Sequence, residues 1–125
     1  MTPFGQRMRM LRAARGLQLK DMAAAIGISP AYLSALEHGK RGRPGWHLVQ
    51  RILAYFNIIW DEAEEIVRLA RISHPRVTID TAGLDPQATE LANRLADEIS
   101  RLELAQIEEI LAVLARPPRR RQPTK

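Results

Sequence analysis

The chain has 125 residues and a mass of 14.1 kDa, enough for one compact domain with an appendage. Apolar residues make up 46% and charged residues 26%, and the absence of cysteine excludes disulfide scaffolds, thiolate zinc sites and cysteine nucleophiles. The net charge of +5 is unevenly placed: residues 1–56 carry nine Lys/Arg against two acids, residues 57–115 five against twelve, and residues 116–125 five against none.

Thr2-Pro3 predicts an N-cap followed by proline at the first helical position, with Phe4, Met8 and Leu11 on one face. Gly16 ends this helix, with Arg15 in its last turn. A second helix is expected over about Leu19 to Ile26, with Met22, Ala23 and Ile26 inward. Gly27 stops it by accepting a left-handed conformation. Ser29-Pro30 starts a third helix, which buries Leu33 and Leu36 and ends at Gly39. KRGRPG is a basic turn. Pro44 is expected to open a fourth helix burying Leu48, Val49, Ile52 and Phe56, with Asn57 as its C-cap. Asp61 and Glu64 fit a capping box for a fifth helix through about Ile72, burying Ile66 and Leu69.

SHPRVTIDTAG breaks the helical pattern and reads as a linker with room for a short strand. Asp85-Pro86 repeats the cap-and-proline start. Ala88, Leu91, Leu95 and Ile99 form one apolar stripe; Ile107, Ile110, Leu111 and Leu114 form a second. A turn between Ser100 and Glu103 makes these a helical hairpin, one continuous helix being the competing reading. From Pro117 on there is no apolar residue, and disorder is expected.

Residues 18–39, QLKDMAAAIGISPAYLSALEHG, describe two short helices around a tight turn. Small Ala23 permits a close crossing, Gly27 supplies the stop, Ile28 plugs the corner, and Leu33 and Leu36 bury the underside. A second helix so presented can enter a DNA major groove. Over about residues 4–70 the chain resembles the Cro/C1-type (XRE-like) helix-turn-helix DNA-binding proteins. The likeness is carried by Arg12, the Ala23/Gly27/Ser29 set, Leu33-Ser34-Ala35-Leu36-Glu37, Gly39 and Pro44. It implies an all-α fold of five helices, helices two and three forming the DNA-reading unit, followed here by the C-terminal hairpin. It also implies that Arg12 pairs with Glu37 as a structural brace.

Family members often place long polar side chains where this chain has Leu19, Pro30 and Ala31. Gln18 or Lys20 must then contact phosphate, while Pro30 and Ala31 offer apolar contacts such as a thymine methyl. Ser29, Tyr32, Ser34, Ala35 and His38 complete the face expected at DNA. For Tyr32, packing against helix two is the alternative. Direct base readout should be sparse, with shape and phosphate contacts carrying more of the recognition. Lys40, Arg41 and Arg43 follow the recognition helix, where the family's loop lies along the backbone. Neutralisation of about 3–5 phosphates per subunit is expected. Trp46 is read as capping the core, the alternative being its indole N–H toward a phosphate. Trp60 is read as a core or subunit contact.

His38, His47 and His74 have no metal-ligand spacing, and neither a Ser/His/Asp arrangement nor a glycine phosphate loop is visible. Neither enzyme activity nor a cofactor or metal is expected. No apolar run approaches the roughly 18 residues of a membrane span. MTPFGQRMRM lacks the apolar segment of a secretory signal. The expected location is the cytoplasm, on the nucleoid when DNA-bound.

The expected organisation is a helix-turn-helix DNA-binding domain over 1–73, a linker over 74–84, a helical dimerisation element over 85–116 and a basic tail over 117–125. One such head touches one half-site, and paired half-sites lie about 34 Å apart or a multiple of that. The apolar residues Leu91, Leu95, Ile99, Ile107, Ile110, Leu111 and Leu114 are too many for a two-helix hairpin to bury on itself. Two chains together would complete a four-helix core. The expected function is that of a homodimeric bacterial transcriptional regulator, most simply a repressor, reading a palindromic duplex through residues 29–38. The competing reading is an antitoxin or adaptor whose C-terminal helices bind another protein.

Overall fold

A computed structural model describes residues 1–116. The chain is all helical, with no strand among the described residues: α1 Pro3–Arg15, α2 Leu19–Ile26, α3 Pro30–Glu37, α4 Trp46–Phe56, α5 Trp60–Arg71, α6 Pro86–Glu98, a 3-10 turn Ile99–Arg101, and α7 Leu104–Ala115. It divides into two units, Met1–Thr78 and the residues from Ile79 onward. The tail expected over 117–125 lies outside the described residues.

Local chemistry sets the ends of the first three helices. Thr2 Oγ1 accepts the Gly5 amide at 3.0 Å, and Ser29 Oγ accepts the Tyr32 amide at 3.1 Å. Each cap is followed by a proline at the first helical position, where a missing N–H costs nothing. Gly16 and Gly27 close α1 and α2 at φ +64° and +79°, a region a side chain would disfavour.

Two helix starts differ from expectation. Pro44 does not open α4. It is buried ahead of the N-cap Gly45, and the helix begins at Trp46. The Asp61/Glu64 capping box does not form either. α5 begins one residue before Asp61, at Trp60, with Ile59 as a cap lacking a side-chain bond. Ile58 goes into the core at 7% exposure, while Trp60 takes a left-handed backbone (φ +59°) and is 81% exposed. Trp60 is therefore not a core residue: the turn needed to seat Ile58 aims it outward. The stretch SHPRVTIDTAG forms no strand.

In the first unit α1 packs on α3 and α5, α2 on α3 and α4, and α4 on α5. Phe4, Met8, Met22, Leu33, Ile52 and Ile66 are wholly buried at the centre. Each contributes about 1.5–3 kcal/mol relative to exposure. Ile28 is half-buried against this core at the α2–α3 corner. Arg7 on α1 and Glu65 on α5 add an ion pair at 2.7 Å. Ser73 Oγ, just past α5, accepts the Phe4 amide at 2.9 Å and donates to the Leu69 carbonyl at 2.5 Å. It thereby satisfies the start of α1 and the end of α5 together.

The second unit is a helix, a turn and a helix. Asp85 caps α6 by accepting the Gln87 amide at 2.9 Å. The helical path breaks at Ile99–Arg101, so one continuous helix is excluded. None of its described residues is buried. Leu91, Leu95, Leu102 and Ile110 line an open groove whose rim includes Glu90, Arg94 and Glu98. Arg94 bonds Glu98 at 3.0 Å and approaches Glu90 at 3.7 Å. The Glu98 hydrogen bond, then the charges of Glu98 and Glu90, raise the Arg94 pKa above its ordinary value.

Candidate nucleic-acid interface

α3 is braced from behind. Its last residue, Glu37, is 1% exposed, and its carboxylate takes both terminal nitrogens of Arg12 from α1, the Nη2 bond to Oε1 being 3.0 Å. The Glu37 carbonyl accepts the Thr2 amide at 3.0 Å. α1 crosses so closely that a Cβ at Gly5 would fall 2.2 Å from that carbonyl oxygen. At the other end, Arg51 of α4 donates to the Ile26 carbonyl at 2.9 Å, closing the C-terminus of α2 beside the turn into α3.

With its back fixed, α3 turns Ser29, Pro30, Ala31 and Tyr32 outward, and Ser34 and Ala35 are half-exposed. Tyr32 is 41% exposed, its ring in a shallow depression with Ile28, Leu48 and Arg51. It is therefore both packed and presented. Gln18 and Lys20 are exposed at the start of α2. The Gln18 amide is engaged by Asp21 Oδ2 at 3.0 Å. His38 Nδ1 bonds the Ser34 carbonyl at 2.8 Å, which orients the ring and leaves Nε2 as its remaining hydrogen-bonding atom. Gly39 and Lys40 donate backbone N–H bonds to Leu36 and Ala35 at 3.2 and 2.8 Å. The basic loop therefore leaves α3 on a fixed path, with Lys40, Arg41 and Arg43 exposed.

The tertiary structure sorts the cations of residues 1–56. Arg7 and Arg12 are spent on ion pairs, and Arg15 and Arg51 on the carbonyls of Phe56 and Ile26. Arg15 also lies over the Phe56 ring, 5.1 Å from its centroid. Arg9, on α1, and Lys20, Lys40, Arg41 and Arg43 form no ion pair among the described residues. The two acids are also accounted for: Glu37 is buried against Arg12, and Asp21 caps α2. The α3 side of the unit is left with uncompensated positive charge, a surface suited to a polyanion.

Trp46 departs from expectation. It is 65% exposed and does not cap the core: Pro44 is buried ahead of α4, and Trp46 sits in the first turn of that helix. Arg51 was not singled out from the sequence; its place three residues after Leu48, on the edge of the buried stripe, was the available signal. The apolar residues expected to dimerise all lie on α6, the 3-10 turn and α7. Leu95, Ile107 and Ile110 are half-buried, while Leu91, Ile99, Leu111 and Leu114 are exposed. Among the described residues no group of three His, Cys, Asp or Glu could hold a metal, and no helix is long and apolar enough to cross a membrane.

The family model described as a helix-turn-helix domain matches residues 3–65. The chain is 39% identical over 61 residues to the uncharacterized HTH-type transcriptional regulator RghRB of Bacillus subtilis, covering 49% of this chain and 44% of that protein. It is 38% identical over 92 residues to the HTH-type transcriptional regulator DdrOP3 of Deinococcus deserti, covering 74% and 64%. To the HTH-type transcriptional repressor RghR of Bacillus subtilis it is 43% identical over 44 residues, covering 35% and 33%. The chain thus spans less than two thirds of the length of each of these relatives.

Proposed function

The chain belongs to the helix-turn-helix domain family, in its Cro/C1-type form, and from that premise we propose that it is a sequence-specific double-stranded DNA-binding transcriptional regulator. One observation carries the proposal. α3 is exposed along the face from Ser29 to Ala35, and the cations flanking it, Lys20, Lys40, Arg41 and Arg43, are uncompensated among the described residues. α3 enters the major groove, Tyr32 and Ser34 meet base edges, and the loop neutralises phosphates on either side. Pro30 and Ala31 have no hydrogen-bonding side chain, so much of the selectivity comes from apolar contact and duplex shape.

The regulator acts as a homodimer on a palindromic operator, and as a repressor, working in the cytoplasm. The second unit supports the dimer: a pair of helices with no buried residue among those described has no core of its own, and a second copy would supply one. The printed name of one relative, a transcriptional repressor, supports the sign of regulation. The adaptor reading draws on the same uncovered helices, with a different protein in place of the second copy.

Selection of bound duplexes from a randomised pool by the full chain, with sedimentation in parallel, tests the proposal. Enrichment of an inverted repeat by a dimeric species is the expected result. A pool that stays unenriched and unshifted overturns it.

A further inference from the structure

Past α5 the chain returns to the α3–α4 loop. A Cβ built on Gly39 would lie 3.4 Å from Pro75 Cβ, so the Pro75 ring, past α5, sits beside the backbone that follows α3. A few residues earlier, Arg71 lines a groove with Arg43, Pro44, Trp46, Val49 and Ala70. Contact at both places lays residues 71–75 beside residues 39–46. Arg71, His74 and Arg76 are exposed along this segment. Neither Arg71 nor Arg76 takes part in an ion pair among the described residues. The Arg76 amide donates to His74 Nδ1 at 3.2 Å, which leaves Nε2–H of the neutral ring as a donor.

Neither residues 38–60 nor residues 66–79 contain an acid; the next acid along the chain is Asp80, whose Oδ1 accepts the Ala82 amide at 2.9 Å. The nearest preceding acid, Glu65, is engaged by Arg7 at 2.7 Å and faces Arg68 at 4.0 Å. Arg43 and Arg71 line the groove together with Trp46, which is 65% exposed. Guanidinium forks match phosphate oxygens, and an indole offers a flat apolar face for a sugar and one N–H donor. The groove is continuous with the loop bearing Lys40, Arg41 and Arg43, so the same polyanion that meets the loop reaches it.

We propose that Trp46, Arg71, His74 and Arg76 form a second phosphate-binding strip, which holds the duplex backbone alongside the α3–α4 loop and lengthens the DNA contact beyond the part read by α3. This strip presupposes the DNA-binding function proposed above. It adds residues from the segment whose overall charge is acidic.

The test is a salt titration of the full chain on a mixed-sequence duplex about three helical turns long. The double variant Arg71→Gln/Arg76→Gln should flatten the slope of log affinity against log salt by about two per subunit, and Arg71→Lys/Arg76→Lys should restore it. Arg43→Gln is the control, expected to remove about one. If the parent chain binds, Arg43→Gln flattens the slope and the double variant leaves it unchanged, the strip is overturned while DNA binding stands. If the parent chain does not bind the duplex or any selected one, the function itself fails. A second readout needs no change in the strip. In Trp60→Phe, Trp46 is the sole tryptophan, and its emission should be quenched by added duplex. Emission indifferent to saturating duplex overturns the place given to Trp46.

Discussion

Arg12 and Glu37 meet inside the first unit as a two-pronged ion pair, with 8% and 1% of their surfaces exposed. The pair joins the middle of α1 to the last residue of α3, so the helix offered to DNA is anchored by a charge that cannot reach DNA. Removing one partner strands the other charge in the core. Glu37→Ala should cost about 3–5 kcal/mol, read by urea denaturation. The double variant Arg12→Met/Glu37→Leu should recover most of that loss, because no buried charge then remains. A double variant as unstable as the single one would show that the pair contributes more than the removal of an unpaired charge.

Gly5 lies where α1 crosses the end of α3. Its added methyl in Gly5→Ala would collide with the Glu37 carbonyl, a backbone atom that two contacts from Thr2 already hold. The expected loss is about 3 kcal/mol, at the upper end for overpacking. It should appear as a lowered melting temperature. An unchanged melting temperature would mean that the crossing opens freely.

Arg43 and Tyr32 should fail in different ways. Arg43→Ala removes an exposed charge with no internal partner among the described residues, so it should weaken binding to every duplex and flatten the salt slope by about one per subunit. Tyr32→Ala removes a side chain on the outward face of α3. It should change the ranking of duplexes more than the general affinity, with the chain still folded, because the ring is 41% exposed. Competition binding across a duplex panel separates the two effects.

Leu95→Glu places a charge in the apolar groove of the second unit. The proposed dimer should dissociate in sedimentation, while the first unit keeps its helical melting transition. Leu95 packs in the unit beginning at Ile79, whereas the core of the first unit ends at Ala70. An intact dimer would place the interface elsewhere.

Much of the fold was legible because its cues are local. A Thr or Ser followed by proline starts a helix through one side-chain bond and one fixed φ, and a glycine ends one through a conformation other residues avoid. These cues place α1, α2 and α3 in the sequence, and the four-residue spacing of Phe4 and Met8 or Ile52 and Phe56 marks the buried faces. The brace between Arg12 and Glu37 was legible only through a family likeness, since 25 residues separate the partners. Where local rules conflicted with packing, packing prevailed. Pro44 had the chemistry of a helix start and is instead buried two residues ahead of the helix. Asp61 and Glu64 had the spacing of a capping box, but seating Ile58 moved the helix start to Trp60. Summing charge by segment also hid Arg71 and Arg76, which pair with none of that segment's acids among the described residues.

What the amino-acid order determined alone was which residues make helices, which faces are apolar, and that the first part of the chain is rich in positive charge. Which of those charges remain available, that neither tryptophan is buried, and which distant cations share one surface were decided only by the tertiary structure. The reason is physical. Capping and periodicity act over a few residues, whereas burial and ion pairing depend on what the folded chain brings within a few ångströms from any distance along it.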